Sequence, residues 1–102
     1  MSDPPVVVTD NRPASRYEIW VGDQLAGFSD YQHTARGITF THTKVDDRFE
    51  GHGLGSRLAA AALEDARRQG MAVTPRCPFI AEFIETHPEY SDVVEGSSGT
   101  TH

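Results

Sequence analysis

Three glycines at alternate positions, Gly51, Gly53 and Gly55, stand in the stretch Arg48-Phe49-Glu50-Gly51-His52-Gly53-Leu54-Gly55-Ser56. Without a Cβ, such residues let main-chain N–H groups come close to a ligand. A helix starting at this point adds unpaired amides and the positive end of its dipole. The chemistry offered is anion binding, of a phosphate or pyrophosphate; a glycine-rich connector needing only tight turns is the competing reading. A P-loop requires Lys and Ser/Thr after its last glycine, and Ser56-Arg57 stand there instead. A dinucleotide fingerprint requires glycine at the position of Ser56 and an acidic residue after the next strand, which ends near Thr74 without one.

Two further residues carry chemistry. Cys77 is the single cysteine and precedes Pro78, a favoured first residue of a helix. The positive helix end stabilises a thiolate there, drawing an ordinary thiol pKa of ~8.5 toward or below neutrality. A buried, inert cysteine is the alternative. His42 sits in Gly37-Ile38-Thr39-Phe40-Thr41-His42-Thr43, whose alternation places it with Ile38 and Phe40 on one face and the threonines on the other. It is either a satisfied core histidine or a base, with a reference pKa of ~6.5. The five histidines and one cysteine show neither H-x₃-H nor paired-cysteine spacing, so no metal site is expected.

These residues need elements to hold them. Tyr17, Ile19 and Val21 alternate with polar or amphipathic neighbours, Gly22-Asp23 follows, and Gln24 to Tyr31 reads as the return strand of a hairpin. The Gly37–Thr43 run is a third strand. From Leu54 to Gln69 the period becomes helical, with Leu54, Leu58, Ala59, Ala62, Leu63 and Ala66 on one side and Gly70 as the stop. Met71 to Thr74 forms a short strand, parallel to the third and joined by a right-handed crossover. A last helix starts at Pro78 and ends by Thr86, because His87 precedes Pro88. The fold class is α/β (α+β): a mostly antiparallel sheet with one parallel pair, covered by two helices. Residues 1–14, with three prolines, read as a flexible segment with an edge strand available in Val6-Val7-Val8, residues 15–94 as one domain, and 95–102 as a disordered tail.

The 102 residues suit one domain. The formal charge of −6 argues against nucleic acid as a general partner. One cysteine suits a reducing compartment, and with neither a membrane span nor a leader pattern the expected location is the cytoplasm, as a monomer or weak dimer.

Arg48-x-x-Gly51-x-Gly53 resembles the R/Q-x-x-G-x-G/A signature of the GNAT superfamily of N-acetyltransferases. His42-Thr43-x-Val45 before it, and Pro75-Arg76-Cys77-Pro78-Phe79-Ile80 and His87-Pro88-Glu89-Tyr90 after it, resemble the small GNAT-like subfamily from about Arg16 to Val94. The resemblance implies an acyl-coenzyme A-dependent N-acyltransferase, with acetyl-coenzyme A (acetyl-CoA) as donor and an amine as acceptor. The runner-up is a coenzyme A-binding module with little or no transfer activity. It implies that pantetheine lies between Thr43, Lys44 and Val45 and the stretch from Pro75 through Cys77 and Pro78 to Phe79. The pyrophosphate would rest on the amides of Phe49, Glu50, Gly51, His52, Gly53, Leu54, Gly55 and Ser56. Lys44, Arg48 and Arg57 are phosphate partners by the same resemblance, and His87 and Tyr90 contact the adenosine or pantetheine end, unless Tyr90 only anchors the chain. Cys77 and His42 would stand beside the thioester, Cys77 as nucleophile or acid and His42 as base, with Asp46, Asp47 and Glu50 as carboxylate alternatives.

Overall fold

The structure, a computed structural model, describes residues 4–94. Five strands form one sheet in the order β1 (Val6–Asn11), β2 (Arg16–Val21), β3 (Gln24–His33), β4 (Gly37–Val45) and β5 (Ala72–Pro75). The first four are antiparallel to their neighbours, and β5 runs parallel to β4. Helices α1 (Leu54–Arg68) and α2 (Pro78–Thr86) complete the mixed α/β architecture.

Local chemistry explains the boundaries. The β2–β3 hairpin turns at Gly22, whose φ of +61° is readily adopted by glycine. The buried stripe of α1 is Leu54, Leu58, Ala59, Ala62, Leu63 and Ala66. Its alanines let the helix approach the strands closely. Pro78 opens α2, and His87 before Pro88 leaves the helical region and closes it. Both helices contribute to one core with Tyr17, Ile19, Tyr31, Ile38, Phe40 and Val73. The opposite sheet face is the more exposed one, with Val7, Thr9, His42 and Lys44 in solvent. No helix among the described residues is long and apolar enough to cross a membrane.

Two expectations change. The edge strand available in Val6-Val7-Val8 forms and runs on to Asn11, paired along its whole length with β2, so the described part of the segment read as flexible is ordered and ends in a 3₁₀ turn over Arg12–Ala14. Val6 and Val8 pack on the core, and Asp10 accepts the Tyr31 hydroxyl at 2.5 Å. Those anchors come from sequence-distant residues, so local composition does not reveal them. The tail over 95–102 lies outside the described residues.

The second change concerns β4. Asp30 pairs with His42 and Tyr31 with Phe40, which leaves Thr41 without a partner on β3. This bulge reverses the side-chain alternation beyond Phe40. Thr43, not His42, therefore joins Ile38 and Phe40 on the helix-covered face. His42 turns to the exposed face, its ring 6.0 Å from that of Phe28.

Candidate active site

The parallel pairing of β4 and β5 covers Gly37 to Phe40 on one strand and Ala72 to Pro75 on the other. The amides of Arg76 and Cys77 then both donate to the Phe40 carbonyl, at 3.0 and 2.9 Å. Past this clamp β5 gives way to α2, while β4 continues through Thr41 to Val45. The two chains diverge, and the outer edge of β4 is left without a strand partner. An extended ligand with amide groups can pair with such an edge.

Cys77 closes the narrow end of this gap. It is 2% exposed, and its thiol donates to Thr43 Oγ1 at 3.3 Å. Thr43 Oγ1 lies 2.8 Å from the hydroxyl of Ser29, which is fully buried. The thiol also stands at the N-cap of α2, where no side chain satisfies the first amides. Ser29 had no signal in the sequence: an isolated serine in a strand is ordinary, and only its register opposite Thr43 brings it here.

The wide end of the gap leads to the glycine loop. After a 3₁₀ turn over Asp47–Phe49, Gly53 caps α1 with φ +73°, and Gly51 has φ +88°. No amide from Gly51 to Ser56 has a hydrogen-bond partner among the described residues; the first loop-to-helix bond is Arg57 N–H to the Gly53 carbonyl. A Cβ on Gly51 or Gly53 would meet nothing within 4 Å, so these glycines face open space. Gly55 differs. A Cβ there would come within 2.7 Å of the Phe79 ring and 3.4 Å of Val45 Cγ2. Its role is to let α1 and α2 meet. Val45, Phe49, Glu50, Gly51, Gly53, Leu54, Gly55, Ser56 and Phe79 line a pocket of about 240 Å³ along this loop.

The remaining site residues divide. Pro78 and Phe79 sit exposed at the head of α2. The side chain of Leu54 is in the core, and the residue also borders the loop pocket. Exposed His52 lines a separate cavity of about 510 Å³ with Arg48 and Arg57. Arg48 folds back onto Asp46 at 3.1 Å and lies over the Phe49 ring. That pair holds the Asp46 carboxyl below the usual range, through the Arg48 side chain first and the Arg48 amide second. Lys44 points to the exposed sheet face, where it borders a pocket with Leu25, Gly27, Phe28 and Asp46. His87 stacks on Phe83 with ring centroids 3.9 Å apart, its Nδ1 2.9 Å from the Phe83 carbonyl oxygen. Tyr90 is buried between Phe83 and the guanidinium of Arg67. Burial, and then a hydrogen bond with Glu64, pushes its phenol up. It anchors the chain end.

Chemically, the arrangement offers a row of amides for an anion, a strand edge for an extended amide-bearing arm, and a thiol at the far end of that edge. These features fit a pyrophosphate-linked thioester in that order.

Comparison with known proteins supplies a family and a shared fold. A family model described as GCN5-related N-acetyl-transferase matches residues 16–93. The crystal structure of Ard1 from Thermoplasma volcanium is similar at 30% identity, covering 60% of this chain and 43% of its own, with a TM-score of 0.53. This chain therefore spans less than half of that protein's length. The solution structure of a GCN5-like protein from Staphylococcus aureus shares the fold over 100% of this chain and 98% of its own, at 24% identity and a TM-score of 0.68. No curated protein matches the chain.

Proposed function

The chain belongs to the GCN5-related N-acetyltransferase family, and on that premise we propose that it transfers an acetyl group from acetyl-CoA directly to an amine. The observation that carries this reading is the gap between β4 and β5, with six unpartnered amides, Gly51 to Ser56, at one end and Cys77 at the other.

In this reading the amides of the loop and of the first turn of α1 hold the pyrophosphate of the donor. They supply positive potential without a cationic side chain, which answers how a chain of net charge −6 retains an anionic substrate. The free edge of β4 from Thr41 to Val45 pairs with the pantetheine arm, which brings the thioester to Cys77. Cys77 and His42 then flank the reacting carbon from opposite faces of the sheet. Cys77, on the covered side, delivers a proton to the departing coenzyme sulfur. His42, on the exposed side, takes a proton from an amine that arrives from solvent. The amine adds to the acetyl carbonyl and the tetrahedral intermediate expels the coenzyme thiolate, so a base on the amine's side and an acid on the sulfur's side suit direct transfer.

The test is a panel of primary amines with acetyl-CoA, read as free thiol released, alongside calorimetric titration with coenzyme A. Turnover that saturates in both substrates supports the proposal. Saturable coenzyme binding with no turnover on any amine overturns it in favour of a binding module. Radiolabel retained on the denatured chain, and lost in Cys77→Ser, would replace direct transfer with an acyl-cysteine route.

A further inference from the structure

We propose that Ser29 and Thr43 form a reversible hydroxyl chain that serves Cys77 in both of its protonation states, making them positioning residues for the proton that the thiol gives up and regains. The inference rests on the acyl-transfer reading above and adds to it a pair of groups with no contact to the coenzyme loop.

Two distances and two burials carry it. The Cys77 thiol reaches Thr43 Oγ1 at 3.3 Å, and Thr43 Oγ1 reaches Ser29 Oγ at 2.8 Å. Ser29 is fully buried and Cys77 is 2% exposed, so water does not readily substitute for either partner. A hydroxyl has one donor proton and two acceptor lone pairs, and its proton rotates. With Cys77 neutral, S–H donates to Thr43 and Thr43 donates to Ser29. With Cys77 as thiolate, both rotors turn: Ser29 donates to Thr43 and Thr43 donates to sulfur. The heavy atoms stay in place. The thiolate gains more, because hydrogen bonds to an ionised group are about twice as strong as neutral ones and S–H is a weak donor.

The step balances. The amine nitrogen bonds to the acetyl carbon, and the carbon–sulfur bond of the thioester breaks with its electron pair going to the coenzyme sulfur. The Cys77 proton passes to that sulfur, giving free coenzyme A and a Cys77 thiolate held by Thr43. The amide nitrogen gives its extra proton to His42, which passes it to solvent, and the Cys77 thiolate regains a proton from solvent once coenzyme A has left.

Because Cys77 is the only thiol in the chain, ultraviolet titration of the thiolate in the coenzyme-free protein reads this chain of bonds without any transfer assay. Thr43→Val keeps the shape and removes the hydroxyl. Its titration midpoint is expected about one to two pH units above that of the parent protein, the shift that matches losing a bond to a charged group. Ser29→Ala should move the midpoint in the same direction by less, and Thr43→Ser should restore it. In transfer assays Thr43→Val should lower kcat about tenfold. A midpoint in Thr43→Val equal to the parent's, or a Thr43→Ser that behaves as Thr43→Val, overturns the inference. If Thr43→Val does not fold, Ser29→Ala decides, and an unmoved midpoint there has the same consequence. Failure of coenzyme A to bind the parent protein would defeat the transfer reading alone, since the titration needs no ligand.

Discussion

The two ends of the β4–β5 gap are built from different materials. At the loop end the binding groups are main-chain amides, and glycines at 51 and 53 supply the backbone shape that exposes them. At the Cys77 end the groups are side chains from two strands and a helix N-cap: Ser29, Thr43, His42 and Cys77. The loop end depends on local conformation. The thiol end depends on register, since a single unpaired residue at Thr41 decides which neighbour faces the thiol. A backbone-built site tolerates changes in side chain and fails when backbone shape changes. A side-chain-built site behaves in the opposite way.

The sharpest way to break that contrast is Gly53→Glu. At φ +73° any side chain is strained, and the added carboxylate points into the space that the ligand would fill. Coenzyme A affinity should fall by about a hundredfold or more by calorimetry. The circular dichroism spectrum should not change, because a Cβ there touches nothing. Retained affinity would remove the loop from the proposed site.

Cys77→Ser should lower kcat by about a hundredfold, the low end of general acid catalysis, with coenzyme A affinity unchanged. Loss of affinity equal to loss of rate would show that the two ends are not separable. His42→Gln is likewise expected to cost about a hundredfold in kcat and to abolish the acidic limb of the pH–rate profile. A limb that persists assigns the base elsewhere.

A third measurement concerns the core on which both ends rest. Tyr17 donates to Asp65 at 2.6 Å and Tyr31 to Asp10 at 2.5 Å. Burial first, and the carboxylate partners second, raise both phenols above their ordinary value of 10.0. The unfolded chain loses these protons near pH 10 while the folded chain keeps them. Stability should be flat with respect to these groups below pH 10, then fall by about 1.4 kcal/mol per pH unit for each tyrosine. Urea denaturation across pH 9 to 12 checks it, and Tyr17→Phe should take about 1.4 kcal/mol per pH unit off the slope while costing about 1 kcal/mol at neutral pH.

The smallest effect is expected at Gly55→Ala. The new methyl meets the far end of the Phe79 ring, which can shift, and the helix gains about 1 kcal/mol in propensity over glycine. Net stability should stay within about 1 kcal/mol by the same denaturation. A larger loss would mean that Phe79 cannot move.

Much of this was legible in the residues. The order of strands and helices follows from periods that change between alternating and helical, from Gly22, Gly70 and Pro78 as punctuation, and from the small-residue stripe of α1. The exposed amides of the glycine loop were legible because they are backbone, and backbone conformation is where glycine spacing speaks most directly. The face occupied by His42 was not. Strict alternation places it beside Ile38 and Phe40, and nothing in Thr39-Phe40-Thr41-His42 marks a bulge. Nor does a lone Ser29 show that it will be buried against Thr43, or Val6 and Asp10 that a proline-rich start will be tied to β2 and Tyr31.

The sequence by itself therefore determined the family, the elements and the glycine loop proposed to hold the phosphates, since each is carried by residues within a few positions of one another. The tertiary structure alone decided which side chains meet the thiol. That meeting depends on strand register, where one extra residue exchanges the two faces of the sheet.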